Sequence, residues 1–198
     1  MRTRKAPEKR KAEIITTATL LITQRGYRKV AMVDVANAIG VSKAALYVYF
    51  PTKDALFEAV VFQSLEAPLA AIKNASKAHV NTTEKLTNML VDSFSLALYK
   101  PKPMTELINS SREYAQNILK DHTQQSLDLY CEVLKHAQLH GEIILPSQYL
   151  NTEDAAKLIL SCAHGAALGT NIGSPVLPEK QMKTRISALI YSLIRGWN

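Results

Sequence analysis

The sequence predicts an all-α fold of about nine helices. Apolar residues recur at intervals of three and four almost from end to end, no stretch alternates as a strand would, and the connections between periodic runs are short. The first helix, 8–25, places Ile14, Ala18, Leu21 and Ile22 on one face and stops at Gly26. Short helices follow at 33–39 and 43–49. Pro51 closes this group, because its ring disfavours a helical Phe50. Thr52 is placed to cap a helix that carries Leu56, Val60 and Leu65 to about residue 74, with a kink expected at Pro68. A helix over 82–99 ends at the stretch Lys100 to Pro103, and another covers 103–119. The next opens with Asp121 and Gln124 in a capping-box arrangement and ends at Gly141. A helix over 152–171 starts with Glu153 and Asp154 near its positive end, and the last, 178–196, has Pro178 in its first turn.

With 198 residues, 47% apolar and 21% charged, the chain has the composition of an ordinary globular protein. That length buries a core without staples. Cys131 and Cys162 form no CxxC or disulfide-like pattern, which suits a reducing cytoplasm. The N-terminus has no apolar core followed by a small-residue cleavage site, and no run of about 18 apolar residues occurs. A cytoplasmic protein with neither signal peptide nor membrane span is expected.

Charge is concentrated at one end. Residues 1–62 carry 11 Lys/Arg against 5 Asp/Glu, a net of +6, while residues 63–198 carry 13 against 12, a net of +1. A basic first third reads either as a solubilising tail or as an electrostatic footprint for a polyanion.

The stretch ANAIGVSKAALYVYFPTK, residues 36–53, favours the footprint. A helix-turn-helix needs a residue that ends its first helix and tolerates positive φ, which Gly40 does without steric cost. Ala36 is small where two helices approach, and Val35, Ile39, Val41 and Leu46 are spaced to fill the wedge between them. Ser42 stands at the cap of the second helix. Lys43, Ala44, Ala45, Tyr47 and Val48 would then face a major groove, which such a helix reads near its N-terminus. Ala44, Ala45, Tyr47 and Val48 are the candidates for base contact. Ser42, Lys43, Lys53 and a mobile basic arm (Arg2, Arg4, Lys5, Lys9, Arg10, Lys11) would position the protein on phosphates. Tyr49 is a further candidate contact, although core packing is its first reading.

The segment from Gly26 to about Val60 resembles the DNA-binding domain of the TetR family of bacterial transcriptional regulators. The matching features are Gly26-Tyr27, Val35-Ala36, Gly40-Val41-Ser42, Leu46-Tyr47, Tyr49-Phe50, Lys53 and Leu56-Phe57. The resemblance implies a homodimer of all-α subunits, each with a three-helix DNA-binding head and a larger helical body for effector binding and dimerisation. We set the head at 1–52 and the body at 53–198. It further implies a repressor released from a palindromic operator by a small molecule. Two departures stand out. Ala31 occupies a position where the family often has Ser or Thr, a cap and phosphate ligand that Arg28 or Lys29 would have to replace. Ala44-Ala45 replaces a frequent glycine and hydroxyl residue, which suggests contact with thymine methyls.

In the body, Phe94, Leu98, Ile108, Tyr114, Tyr130 and Leu134, with His164 as a polar point, are candidates to line a mostly apolar effector pocket; ordinary core packing is the competing reading for each. The last two helices read as the dimer interface. The first offers Ala155, Ala156, Ile159, Cys162, Ala163, Ala166, Ala167 and Gly169, and the second Met182, Ile186, Leu189, Leu193 and Trp197; packing within one chain is the alternative. Glu132, His136 and His140 share one helix face at a spacing that could hold a metal, but His140 beside Gly141 equally suits a helix end. We expect no metal or cofactor. No nucleophile elbow, phosphate loop or paired-carboxylate pattern is present, so an enzyme is not expected. The alternative function keeps the DNA-binding head and gives the body a partner protein in place of a small-molecule effector.

Overall fold

The computed structural model describes residues 6–99, 115–146, 148–168 and 177–197, and every regular element among them is helical. The described residues form eight α-helices, α1 (Pro7–Arg25), α2 (Met32–Ile39), α3 (Lys43–Tyr49), α4 (Lys53–Ser76), α5 (Thr82–Leu98), α6 (Gln116–Leu139), α7 (Thr152–Leu168) and α8 (Glu179–Trp197), with a 3-10 turn at Tyr27–Lys29. Most of the helix expected at 103–119 lies outside the described residues. Its last residues belong to α6, which runs on through Asp121. No breaker interrupts that stretch, and the Gln124 amide donates to the Asp128 carboxylate one turn ahead at 2.9 Å, instead of closing a capping box with Asp121.

Side-chain oxygens cap four of the helices. Ser42 accepts from the Ala45 amide at 3.1 Å, Thr52 from Ala55 at 3.0 Å, Asn81 from Glu84 at 2.9 Å and Asn151 from Asp154 at 2.8 Å. Gly40 and Gly141 end α2 and α6 in the same way. Each has positive φ (65° and 69°), and the next residue's amide reaches back to Ala36 or Ala137 at 2.9 and 2.8 Å. That is the Schellman geometry, which a side chain at φ > 0 would strain.

Two compact units result. The first holds the described residues to Leu65 together with 115–120, and the second holds 66–99 and the residues from Asp121 onward. The core of the first unit gathers Ile14, Ala18, Val35, Ala36, Leu46, Phe50, Phe57 and Val60, with Ala115 from the residue before α6. The core of the second collects Leu86, Met89 and Phe94 from α5, Tyr130 and Leu134 from α6, and the facing sides of α7 and α8.

α4 passes the length and composition test for a membrane span, and 33% of that apolar stretch is buried within the protein. Its Leu56, Phe57, Val60 and Val61 belong to the core of the first unit. The helix continues on both sides of Pro68.

The small-residue helix is used differently from expectation. Ala155, Ala156, Ile159, Ala163 and Ala167 are buried inside the chain, as are Met182, Ile186, Ile190 and Ile194 of α8. Small side chains let α7 and α8 of one chain approach closely, so these residues do not present an outward face. Leu158 (38% exposed) and Tyr191 (56%) do point outward; Cys162, Leu189, Leu193 and Trp197 are half-buried. Gly169 lies outside the described residues.

Candidate nucleic-acid interface

α2 and α3 form a helix-turn-helix. Val35 and Ala36 on α2 and Leu46 on α3 are at most 1% exposed, and Ile39 and Val41 close the wedge from its edge. Burying Leu46 fixes the rotation of α3, which has only seven residues, and turns Lys43, Ala44, Ala45, Tyr47 and Val48 outward. Val48 is 82% exposed, so its isopropyl group is available to a partner. Tyr49 points the other way: it is half-buried and packs against the head's core.

The cations are held as well as displayed. Lys43 Nζ lies 5.7 Å from the centre of the Tyr47 ring one turn on, which keeps the ammonium beside the exposed face. Lys53 is seated more firmly. Its Nζ stands 4.2 Å above the Tyr27 ring and donates to the Arg28 carbonyl at 3.5 Å. The Tyr27 ring packs tilted against Phe57, centroids 4.2 Å apart, and donates its hydroxyl to the Asp54 carboxylate, which holds the platform at both its face and its tip. Partial burial lowers the Lys53 pKa from its ordinary 10.5, and the carboxylates of Asp54 and Asp34 offset part of that. A partly desolvated ammonium gains more from an arriving phosphate than a fully hydrated one does.

Arg28 and Lys29 sit exposed on the 3-10 turn that leads into α2. The cap position there, Ala31, has the extended backbone of a cap (φ −102°, ψ 157°) but no side-chain acceptor. Only half of a capping box remains, in which the Asp34 carboxylate accepts from the Ala31 amide at 2.7 Å. Lys9, Arg10 and Lys11, read above as part of a mobile arm, lie on the first turns of α1. Arg10 is paired with Glu13 at 2.7 Å, and Lys11 stands 5.9 Å from the Phe50 ring centre. Arg2, Arg4 and Lys5 lie outside the described residues.

Tyr27 and Asp54 were not named as functional by the sequence reading. Their contribution is to hold Lys53, and the 27-residue separation between them leaves no local signal of the contact.

Of the residues proposed for an effector pocket, Ile108 and Tyr114 lie outside the described residues. Phe94, Leu98, Tyr130 and Leu134 come together in the core of the second unit, each at most 8% exposed. His164 is exposed, meets Phe94 edge-on at 5.1 Å, and turns Nδ1 to the Leu160 carbonyl at 2.9 Å. Three buried polar atoms, Ser95 Oγ, His122 Nε2 and the Tyr130 hydroxyl, have no hydrogen-bond partner among the described residues. His140 stacks on His136 at 4.0 Å and turns its Nδ1 to the His136 carbonyl. Among the described residues no three His, Cys, Asp or Glu side chains converge as metal ligands.

Residues 14–60 match the family model for bacterial regulatory proteins of the TetR family. A nucleoid occlusion factor, SlmA, of Mannheimia succiniciproducens is 32% identical over 96 residues, which are 48% of this chain and 44% of that protein. The chain thus spans less than half of that relative's length. Two solved structures share the fold across almost the whole chain. A putative TetR-family regulator from Mesorhizobium loti aligns with a TM-score of 0.72 at 19% identity, covering 97% of this chain and 98% of that one. A putative transcriptional regulator from Saccharomonospora viridis, in complex with choline, aligns at 0.73 and 17% identity, covering 93% and 96%.

Proposed function

We propose that this chain, which belongs to the TetR family of bacterial regulatory proteins, is a cytoplasmic homodimer that reads a palindromic operator and represses transcription there. The observation that carries this reading is the outward face of α3. A capped short helix, its rotation fixed by the buried Leu46, displays Lys43, Ala44, Ala45, Tyr47 and Val48, and the same head holds Lys53 over Tyr27. Lysines on phosphates supply affinity and register. Two alanine methyls, a valine and a tyrosine supply contacts to base edges, with thymine methyls as their natural partners. Two heads are needed because one short helix reads only a few base pairs, and half-sites one turn apart, about 34–36 Å, match two-fold symmetry. We place the subunit contact on the exposed apolar side chains of α7 and α8, Leu158 and Tyr191; sedimentation of Leu158→Glu should then show monomer.

The test is a selection of bound genomic fragments with purified protein at two salt concentrations. An enriched palindrome, weakened by Tyr47→Ala and by added salt, supports a sequence-reading dimer. Salt-sensitive binding with no enriched sequence would sink the proposal.

For the body, we favour release by a small, mostly apolar effector. The support is the set of unpartnered polar atoms on α5 and α6, since Tyr130 and Ser95 offer hydrogen bonds inside an apolar surround. A second reading, a protein partner in place of an effector, is favoured by the burial of Phe94, Leu98, Tyr130 and Leu134 together in one apolar core.

A further inference from the structure

An open groove of about 720 Å³ lies in the second unit, between the end of α4, the start of α5 and the outer face of α6. Its floor rests on the edge of the core that holds Phe94 and Tyr130, and its walls are charged. Lys73 on the last turn of α4, Lys77 just beyond it and Lys85 near the start of α5 all line it, with His79 between them. Among the described residues none of the three lysines forms an ion pair. We infer that this groove binds a small multivalent anion, of the class of di- and tricarboxylates or phosphate esters.

Three features point that way. First, the charge count is uneven. Two carboxylates also line the groove, Glu132 and Glu142, the latter accepting the Thr82 hydroxyl at 2.5 Å and facing Lys85. Three ammoniums against two carboxylates leave the groove with one positive charge in excess when its imidazoles are neutral. Second, Lys85 lies where the α5 dipole is positive, a position that disfavours a cation. Lys73 suits the end of α4, and Lys77, in the turn that follows, brings a second ammonium to the same groove. Third, the floor is apolar, formed by Leu129 and the buried Val133. Charges over such a floor interact more strongly than they would in open water.

The residue type narrows the class. Lysine meets an anion as a point charge and does not impose the planar fork of arginine. Recognition by three ammoniums on two sides therefore rewards charge density and spread, and a monocarboxylate cannot reach them together.

Calorimetric titration of the full chain at low ionic strength, with pyrophosphate, citrate and acetate as probes, tests the inference. Pyrophosphate or citrate should bind saturably and acetate at least about tenfold more weakly. Lys73→Ala and Lys85→Ala should each reduce affinity about tenfold, as for the loss of a charged contact. Lys73→Arg should retain binding, and a Lys43→Ala/Lys53→Ala head variant should bind like the parent. The inference is overturned if no probe saturates, or if binding survives in Lys73→Ala/Lys77→Ala/Lys85→Ala and is lost in the head variant. Circular dichroism and urea unfolding of the triple variant, compared with the parent, report separately that it is folded. The outcome is independent of the fragment selection above, so either proposal can fail while the other stands.

Discussion

Restoring a hydroxyl at residue 31 should stabilise the head. The backbone of Ala31 already has the extended conformation of a helix cap, and the residue is exposed, so a longer side chain displaces only water. The Asp34 carboxylate covers the Ala31 amide at 2.7 Å, but Ala31 itself offers the first-turn amides no side-chain oxygen. Gaining a Ser or Thr cap is worth about 1 kcal/mol, within a range of roughly 0.5–2. Comparing Ala31→Thr with Ala31→Val isolates the effect, since the two differ only by a hydroxyl against a methyl. We expect the threonine variant to be more stable by about 1 kcal/mol in urea unfolding. That corresponds to about 2–4 °C if a chain of this size unfolds as one unit, and about 4–8 °C if the head unfolds by itself. The size of the shift therefore also reports the cooperativity of the two units. In an Asp34→Ala background the gain should shrink if the two halves of the box support each other. Equal stability of the threonine and valine variants would refute the reasoning.

Lys53→Ala should weaken binding to all DNA sequences alike and make the slope of log affinity against log salt shallower by about 0.9, one phosphate's share; an unchanged slope would mean Lys53 meets no phosphate. Tyr130→Phe removes a buried hydroxyl that has no partner among the described residues, so it should leave stability unchanged or raise it by about 1 kcal/mol in urea unfolding. A clear loss of stability would show that the hydroxyl is satisfied in solution. The Thr82 hydroxyl bond is the chief cause that holds the Glu142 pKa below its ordinary 4.5. A carboxylate lowered on folding contributes stability that is present above its unfolded pKa and lost as pH falls through the folded value. Acid unfolding of Thr82→Val, followed from about pH 5 to pH 3, should therefore depend less steeply on pH than that of the parent, and parallel curves would contradict this.

The head was the more legible part because its determinants are local. Gly40, Ser42 and the spacing of Val35, Ala36 and Leu46 act within one or two turns of each other, so a linear pattern carries the motif. The same locality marks the caps at Thr52 and the stop at Gly141. The seat of Lys53 is different in kind. It needs Tyr27, Phe57 and Asp54 to meet across two helices, and none of those contacts leaves a periodic trace. The continuous α6 shows the opposite error, in which a plausible local signal at Asp121 and Gln124 was overridden. Helix propagation past a possible cap loses nothing when the stretch contains no glycine or proline, and Gln124 finds Asp128 instead.

The small residues of α7 carry the broader point. A run of Ala at three- and four-residue intervals specifies that another helix comes close, because no bulky side chain holds it away. It does not specify whose helix that is. Here α8 of the same chain fills the space, with Met182, Ile186, Ile190 and Ile194 inserted against Ala155, Ala156, Ile159, Ala163 and Ala167. In the dimer proposed above, the side chains left for the contact are the exposed Leu158 on α7 and Tyr191 on α8, with the half-buried Cys162 beside Leu158. Leu158 and Cys162 lie four residues apart, on one side of the helix, so a single strip is left between solvent and core. That strip offers fewer apolar side chains than the face first read from the sequence. An interface built on it would gain less from apolar burial and depend more on shape, which makes one charged substitution at Leu158 a sensitive probe of it.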